Sequence, residues 1–330
     1  DNDDDNADNN LSVSSNTSAL GVKGSEDLGD GLKAIYKVEF GVTIGPKPTT
    51  APDDDFISGS ESAVGGLTGR DQFVGLKGGM GKITFGTASS NYKQMGGKVD
   101  PLYRTPLEGR GFLGTQSSML HGGRGINRGR TTHMAQYTSP KMGGIQLVAN
   151  TTFSGSEDET MGVGVRWSNK NIMVYADWID AQIGEVTADF TTGVVTIDRA
   201  AVQDCAVTTD TPTNFVGCDT DSAMKVGGKF DTDAFSVALQ YEDAEDLVGS
   251  NYLFVAGTFN IDGNNSIAAT YGQQSDEIGG SNTADTDGYA LAFNHKMSKM
   301  TNVYVGYGAK SSDADNADES MITAGIRKKF

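Results

Sequence analysis

The chain has 330 residues, among them 44 glycines and 7 prolines, and its formal net charge at pH 7 is -17. The acidic balance argues against nucleic acid as a partner, because phosphate contacts need a basic face and the sequence shows none. No stretch reaches the roughly 18 consecutive apolar residues of a membrane-spanning helix. A negative mean hydropathy does not exclude a membrane β-barrel, in which only alternate residues face lipid.

One pattern repeats along the chain: two alternating runs flank a short turn, and a long polar loop follows. The abundance of glycine, threonine, valine and tyrosine favours an all-β architecture. The predicted strands are residues 19–26, 32–42, 70–78, 82–88, 131–139, 145–153, 161–168, 172–181, 223–230, 235–243, 252–261, 266–274, 289–297, 302–310 and 321–330. The alternation of short turns and long loops is typical of outer-membrane barrels, which segregate loop lengths by end.

The two faces of the predicted strands differ in polarity. In residues 32–40, alternation places Lys33, Lys37 and Glu39 on one face. The other face is apolar: Leu32, Ala34, Tyr36, Val38 and Phe40. A membrane barrel would turn the apolar face to lipid and the charged face to a water-filled lumen. A half-buried sheet of a soluble protein would show the same alternation in any single strand.

Two tryptophans favour the membrane barrel over the soluble sheet. Trp167 and Trp178 fall near opposite ends of a predicted hairpin, where the aromatic girdles of a membrane barrel lie. The fifteen predicted strands are one short of an even number, which bacterial single-chain barrels need. We therefore predict a transmembrane antiparallel β-barrel of sixteen strands, forming a single domain over residues 1–330. Its first strand is absent from this sequence, and residues 1–17 form an extracellular loop.

Residues 89–130 interrupt the pattern with some forty residues that show no sustained helical or strand period. The segment contains apolar residues and sorted charges, with Asp100 and Glu108 early and Arg124, Arg128 and Arg130 late. A long loop of this composition is typical of a functional insert. We predict that it folds inward, which requires the surrounding sheet to be hollow.

Residues 182–221 form another long polar loop, which contains both cysteines of the chain, Cys205 and Cys218. In an oxidising compartment these two residues would form a disulfide within one extracellular loop. Metal binding is disfavoured there, because few other ligands lie nearby in the sequence.

Acidic residues cluster in segments that we predict to be loops. The clusters are Asp3, Asp4, Asp5 and Asp8; Asp53, Asp54 and Asp55; and Asp313, Asp315, Asp318 and Glu319. One interpretation is solvated loop charge, and the other is binding of divalent cations at the outer surface, since clustered carboxylates suit Ca²⁺. No segment has the full spacing of a calcium-binding loop.

Enzymatic activity finds little support in the sequence. His121, His133 and His295 are far apart, and there is no metal-ligand pair at helical spacing and no nucleophile elbow. We predict no enzyme, no cofactor and no metal site. A barrel-embedded hydrolase and a non-conducting surface or adhesion barrel remain as alternatives.

Three stretches resemble the general diffusion porins of Gram-negative bacteria. They are ALGVKGSEDLGDGLKAIYKVE at residues 19–39, FVGLKGGMGK at residues 73–82, and the terminal aromatic residue Phe330. The resemblance implies a sixteen-stranded barrel in the outer membrane, usually a homotrimer, whose third loop narrows the lumen. It implies passive diffusion of ions and small hydrophilic solutes with weak charge selectivity. A substrate-preferring channel is the alternative within the same fold.

The resemblance also implies a constriction with acidic residues of the inward loop opposite a row of arginines. Asp100 and Glu108 match the acidic positions, and Arg70 and Arg130 match two of the basic ones. A third arginine is expected where this chain has Ala19, and Arg128, which shares strand parity with Arg130, is the candidate to compensate. Arg124 is a further basic residue expected at the constriction. Strand parity places two sets of residues in the lumen: Arg70, Gln72 and Val74, and Arg128, Arg130 and Thr132.

Overall fold

The computed structural model describes residues 13–42, 67–122, 124–125, 128–153, 159–181, 185–189, 194–198, 214–216, 221–276, 285–313 and 318–330. The strands in chain order are β1 (Ala19–Gly29), β2 (Leu32–Val42), β3 (Leu67–Gly78), β4 (Gly81–Ser89), β5 (Arg124–Gly125), β6 (Arg130–Thr138), β7 (Ile145–Thr152), β8 (Thr160–Ser168), β9 (Ile172–Ala181), β10 (Glu185–Asp189), β11 (Val194–Asp198), β12 (Asn214–Val216), β13 (Asp221–Asp231), β14 (Phe235–Asp243), β15 (Ser250–Asn260), β16 (Asn265–Asp276), β17 (Thr286–Lys296), β18 (Thr301–Ser312) and β19 (Glu319–Lys328). The helices are α1 (Asn91–Val99), α2 (Ser118–His121) and α3 (Glu245–Val248). None of the helices in this part of the chain has the length and apolar character that a membrane crossing requires.

The main sheet confirms the all-β antiparallel prediction. All fifteen predicted strands are present, and each pairs with its neighbour in the chain from β1 to β19. The short β5 adds a parallel pairing to β6, while β10, β11 and β12 form a separate three-stranded sheet. Within the described ranges, β1 pairs with β2 alone and β19 with β18 alone.

The start of the chain agrees with the prediction where it is described. β1 begins at Ala19, and residues 13–17 contain no strand. Residues 1–12 lie outside the described residues, so the prediction that residues 1–17 form a loop is tested only in part. Cys205 and Cys218 also lie outside them, and the disulfide stays a prediction.

The main sheet is rolled up, because a short segment reaches strands that a flat sheet would hold far apart. β4 ends at Ser89, and fourteen residues later the carbonyl oxygen of Tyr103 accepts a hydrogen bond of 2.8 Å from Nη2 of Arg327 in β19. Eleven strand spacings separate β4 from β19 in the sheet order, which is about 53 Å in a flat sheet. The intervening chain contains the nine-residue helix α1 and spans at most ~31 Å. The sheet therefore curves around this segment and is hollow.

The two faces of the rolled sheet differ as the alternation predicts. In β14, the outward side chains of Phe235, Val237, Leu239 and Tyr241 are between 41% and 53% exposed. The inward side chains of the same strand are buried: Ala238, Gln240 and Glu242. An exposed apolar face of this extent suits contact with lipid and would be costly in water.

Aromatic residues lie near both ends of the outer face. Trp167 in β8 and Trp178 in β9 have the same strand parity as the outward valines and lie near opposite ends of their hairpin. Sequence analysis missed a row of outward tyrosines, in which Tyr271 pairs directly with Tyr289, and the Tyr289 ring lies 6.2 Å from that of Tyr307. Phe330 follows β19 and is fully exposed. The girdle role of the tryptophans stays a prediction.

We expect Leu239→Arg to destabilise the protein in lipid vesicles by about 2–4 kcal/mol, because it places a charge at mid-strand on the lipid-facing surface. Urea unfolding of the protein in vesicles measures the free energy. Ser236→Arg is the matched control, since Ser236 lies on the inner face of the same strand and its replacement would meet water. Equal free energies of unfolding for the two variants would show that the apolar face does not contact lipid.

Candidate functional site

Residues 90–129, which we call the inward loop, lie against the inner face of the sheet. α1 follows Ser90, whose Oγ accepts a hydrogen bond of 3.2 Å from the backbone N–H of Lys93 and so caps the helix. The two ends of the loop meet where the backbone N–H of Ser90 donates to the carbonyl oxygen of Gly129 at 2.9 Å. The sequence shows no sustained helical period here, yet the structure contains the helices α1 and α2. A local cap starts α1 without an apolar period.

Large apolar side chains attach the inward loop to one side of the lumen. Those that are fully or almost fully buried are Tyr92, Met95, Val99, Leu102, Leu107, Leu113 and Leu120. They contact inward residues of successive wall strands, beginning at β9 and β13 and continuing through β14 and β15 to β16 and β17. Full burial of such a side chain contributes roughly 1.5–3 kcal/mol. The apolar contacts of the loop therefore follow the wall from β9 to β17, and hydrogen bonds extend its contacts to β7 and β19.

Asn91 fixes the start of α1 to the wall strands. Its backbone N–H donates to Oδ1 of Asn150 in β7 at 2.8 Å. Its side-chain Nδ2 donates to the carbonyl oxygen of Trp178 at 2.9 Å and to Oδ1 of Asp177 at 3.2 Å, both in β9. A single residue, through its backbone and its side chain, thus connects the loop to two strands that are distant from it in the sequence.

Two glycines in β8 make room for this contact. A Cβ atom on Gly162 would lie 2.1 Å from Oδ1 of Asn91, and one on Gly164 would lie 2.1 Å from Oδ1 of Asp177. No real Cβ tolerates such distances. The inward positions of β8 are therefore glycine because the loop docks directly on the strand backbone.

A second polar cluster attaches the inward loop, near α2, to the wall strands β13 and β14. Nε2 of His121 lies 2.9 Å from Oε1 of Glu242 in β14, and the hydroxyl of Tyr92 donates to the other carboxylate oxygen at 3.2 Å. Nζ of Lys225 in β13 lies 4.0 Å from the centre of the Tyr92 ring. Burial lowers the pKa of His121 to about 4, so its imidazole is neutral near pH 7. Sequence analysis missed this cluster, because its two loop residues and its two strand residues are more than a hundred residues apart.

A network of charges lies on the inner face of β2, β3 and β6, and we call it the charged wall. Its members are Lys37, Glu39, Arg70, Asp71 and Arg130. Glu39 accepts from Nε of Arg70 at 2.6 Å, and Asp71 accepts from Nε of Arg130 at 2.8 Å. Nζ of Lys37 lies between the two carboxylates, 2.9 Å from Glu39 and 2.7 Å from Asp71. The structure thus brings Arg70 and Arg130 together with two acids.

A β-bulge explains why Asp71 was missed. Between the pairs Val38–Gln72 and Phe40–Gly69, the single residue Glu39 lies opposite both Arg70 and Asp71. A bulge of this kind lets two consecutive side chains share one face. It also reverses the parity that follows, so the expectation that Gln72 and Val74 face the lumen is wrong, and Gln72 pairs with the outward Val38. Val74 lies on the outer face and is 62% exposed.

Asp100 is placed differently from the expectation that it faces the arginines across the lumen. It is buried within the inward loop, where its Oδ1 accepts from the backbone N–H of Leu102 at 2.7 Å and its Oδ2 from that of Gly109 at 2.9 Å. Burial raises the pKa of its carboxyl group to about 7. Asp100 therefore shapes the loop, and its carboxyl group is only partly ionised near neutral pH.

Glu108 is also bound within the loop. One oxygen accepts from Nε of Arg110 at 2.9 Å, and the other accepts from the backbone N–H of Arg104 at 2.9 Å. The position of an acid in the loop sequence does not reveal such internal partners. Both acidic residues that were expected at the constriction therefore have their hydrogen-bond partners within the inward loop.

The remaining predicted basic residues have separate surroundings. Burial lowers the pKa of Arg128 to about 10, which leaves its guanidinium charged at neutral pH. The side chain of Arg124 lies outside the described residues, and its backbone pairs with that of Arg130. Lys33 is half-exposed, and its Nζ lies 4.0 Å from Oδ2 of Asp27, so it is not part of the charged wall.

No set of three potential metal ligands is grouped in the part of the chain that the structure describes. Most of the acidic clusters that suggested divalent cations fall at residues 3–8, 53–55 and 315, outside that part. Cation binding at the outer loops therefore stays untested.

Comparisons with known proteins agree with this geometry. A family model described as Gram-negative porin matches residues 1–315. An outer membrane porin protein of Bordetella pertussis is 24% identical over 356 aligned residues, covering 96% of this chain and 83% of that protein. Among solved structures, an anion-selective porin from Comamonas acidovorans has a TM-score of 0.66 at 17% identity, over 95% of this chain and 90% of that one. The trimer form of OmpT, an outer membrane protein of Vibrio cholerae, has a TM-score of 0.63 at 16% identity, over 97% and 92% of the two chains.

We expect Asn91→Ala to loosen α1, because it leaves the buried Asp177 without its amide partner, a loss of about 1–3 kcal/mol. Amide hydrogen exchange of residues 91–99 should become roughly tenfold faster, while exchange in β8 and β9 stays as in the native protein. Lys98→Ala is the matched control, since Lys98 is exposed on the same helix. If both variants exchange alike, Asn91 does not fix the loop.

Proposed function

Because the chain belongs to the Gram-negative porin family and is an outer-membrane channel for passive diffusion, we propose that solutes pass between the inward loop and the charged wall. The observation that supports this passage is the position of the loop. Its buried side chains attach to β9 through β17, whereas the charged wall is built on β2, β3 and β6. A barrel of this size leaves an aqueous lumen, which one inward loop narrows without filling.

We further propose that the passage selects weakly for anions. The charged wall has three cations, Lys37, Arg70 and Arg130, and two carboxylates, each of which is bound to two of the cations. On the loop, the guanidinium groups of Arg104 and Arg128 form no ion pair within 4.0 Å among the described residues, whereas that of Arg110 pairs with Glu108. The passage therefore has a small excess of positive charge. An ion about 4 Å from one such charge gains ~1 kcal/mol in water-like surroundings.

The outer loops would favour cations, opposite to the anion preference proposed for the passage. Their acidic residues, which include Asp313, Asp318 and Glu319, would concentrate cations at the mouth. Charges farther away than about 8–10 Å are screened at physiological ionic strength. We propose that the passage dominates at moderate salt and that the mouth contributes more in dilute solution.

We also propose that the protein is a homotrimer and that it has no catalytic activity. The trimer form of OmpT has the same fold, and the Comamonas porin is described as anion-selective. Passive diffusion needs no catalytic group, so assays for hydrolysis of lipid or peptide should find no activity. A non-conducting surface barrel and a substrate-preferring channel are the competing functions, and recordings in planar bilayers distinguish them from a general pore.

We expect the purified protein to insert into planar bilayers as an open channel. Potassium chloride should give an ohmic current that does not saturate, and each insertion should comprise three equal conductance steps if the unit is a trimer. Current that saturates with one solute would favour the substrate-preferring channel. Folded protein that inserts without any current would contradict the porin function itself.

We expect a reversal potential that indicates slight anion preference at moderate salt and a shift toward cations as salt is lowered. Arg70→Gln and Arg130→Gln should lower the anion-to-cation permeability ratio by roughly two- to fivefold, and Glu39→Gln should raise it. Lys299→Gln is the matched control, because it removes one positive charge from an exposed turn. If the ratio is unchanged in both arginine variants, the charged wall does not line the passage.

A further inference from the structure

Three guanidinium groups converge on Tyr103 in the inward loop. Cζ of Arg104 lies 5.6 Å from the centre of the Tyr103 ring, and Cζ of Arg110 lies 4.9 Å from it. Nη2 of Arg327 in β19 donates to the carbonyl oxygen of Tyr103 at 2.8 Å. Gly97 lets the ring pack on α1, since a Cβ there would lie 2.8 Å from the ring. Sequence analysis did not identify any member of this group.

The three guanidinium groups are not equally compensated. Arg110 forms an ion pair with Glu108 at 2.9 Å and also donates to the carbonyl oxygen of His121. In contrast, the guanidinium groups of Arg104 and Arg327 form no ion pair within 4.0 Å in the described part of the chain. Glu108 accepts a hydrogen bond from the backbone N–H of Arg104 only, and the carboxyl groups of Glu108 and Asp100 act on the charge of Arg327 from a distance. Two guanidinium groups beside Tyr103 are therefore left without a direct ion-pair partner.

Backbone strain indicates that the position of Arg104 is not incidental. Its φ angle is 69°, in the left-handed region that L residues avoid. Such a conformation persists when the surrounding structure fixes it, and it often marks a functional position. Arg104 is exposed, and its guanidinium lies over the ring of the preceding residue, Tyr103.

We infer that Tyr103, Arg104 and Arg327 form a transient binding subsite for small divalent oxyanions such as sulfate or inorganic phosphate. The inference rests on the proposed passage between loop and wall. Planar guanidinium groups bind tetrahedral oxyanions through paired N–H donors, and a doubly charged anion can engage both arginines at once. A monovalent anion gains less from the same two charges, and a cation is repelled. Weak binding at one point is compatible with onward diffusion.

The test is block of chloride current by sulfate in planar bilayers at constant ionic strength. Sulfate should reduce the chloride current of the native protein saturably, while nitrate should not. In Arg104→Gln and Arg327→Gln the half-blocking sulfate concentration should rise about tenfold. Arg104→Lys retains the charge and loses the paired donors, so its half-blocking concentration should lie between the native and glutamine values. Lys299→Gln, which removes a distant charge, should match the native protein.

The outcomes separate this inference from the proposed function. A native protein that passes no chloride would overturn the proposed passage. A native protein that passes chloride but shows no saturable sulfate block would overturn the subsite alone. Equal block in native protein, Lys299→Gln and every Arg104 variant that forms channels would also overturn it. Should Arg104→Gln fail to assemble, Arg104→Lys and Arg327→Gln still give the comparison.

Discussion

The structure depends on the hydrogen bonds with which buried polar side chains dock the inward loop on the wall. His121, Glu242 and Tyr92 are all buried, so each would be costly without its partner. The same holds for Asn91 and Asp177 at the start of the loop. These contacts, together with the apolar side chains between them, make the loop a fixed part of the wall. The width of the passage is therefore set by the fold and does not depend on a moving lid.

The positive charges near the passage fall into two kinds. Arg70 and Arg130 are held at short distance by Glu39 and Asp71, so their fields are partly cancelled and their positions are fixed. Arg104 and Arg327 surround an aromatic ring and a carbonyl oxygen instead. On our proposals, charge held in ion pairs gives a weak general preference for anions, whereas two guanidinium groups without a direct ion pair favour binding of a particular ion class. Both effects can exist in one passage.

The strand framework was predictable because lipid imposes a strict period. The outward residues along most of a strand such as β14 are apolar, and this makes the alternation visible in the sequence. Short turns and the glycine-rich motif at residues 73–82 fix the ends of the hairpins. For the same reason the outward placement of Trp167 and Trp178 followed from parity, and β1 begins at Ala19 as predicted.

The inner face has no such uniform requirement, and there the sequence was less informative. The bulge opposite Glu39 brings Asp71 to the lumen and turns Val74 outward, although nothing in the local alternation marks it. Asp100 is acidic and lies in the expected loop, yet its carboxylate bonds the loop's own backbone. Partners such as Asn91 and Asp177 meet across 86 residues of sequence. The alternation of the sequence therefore predicts the outer surface, which lipid constrains. The passage depends on residues that depart from this alternation, and only the three-dimensional structure locates them.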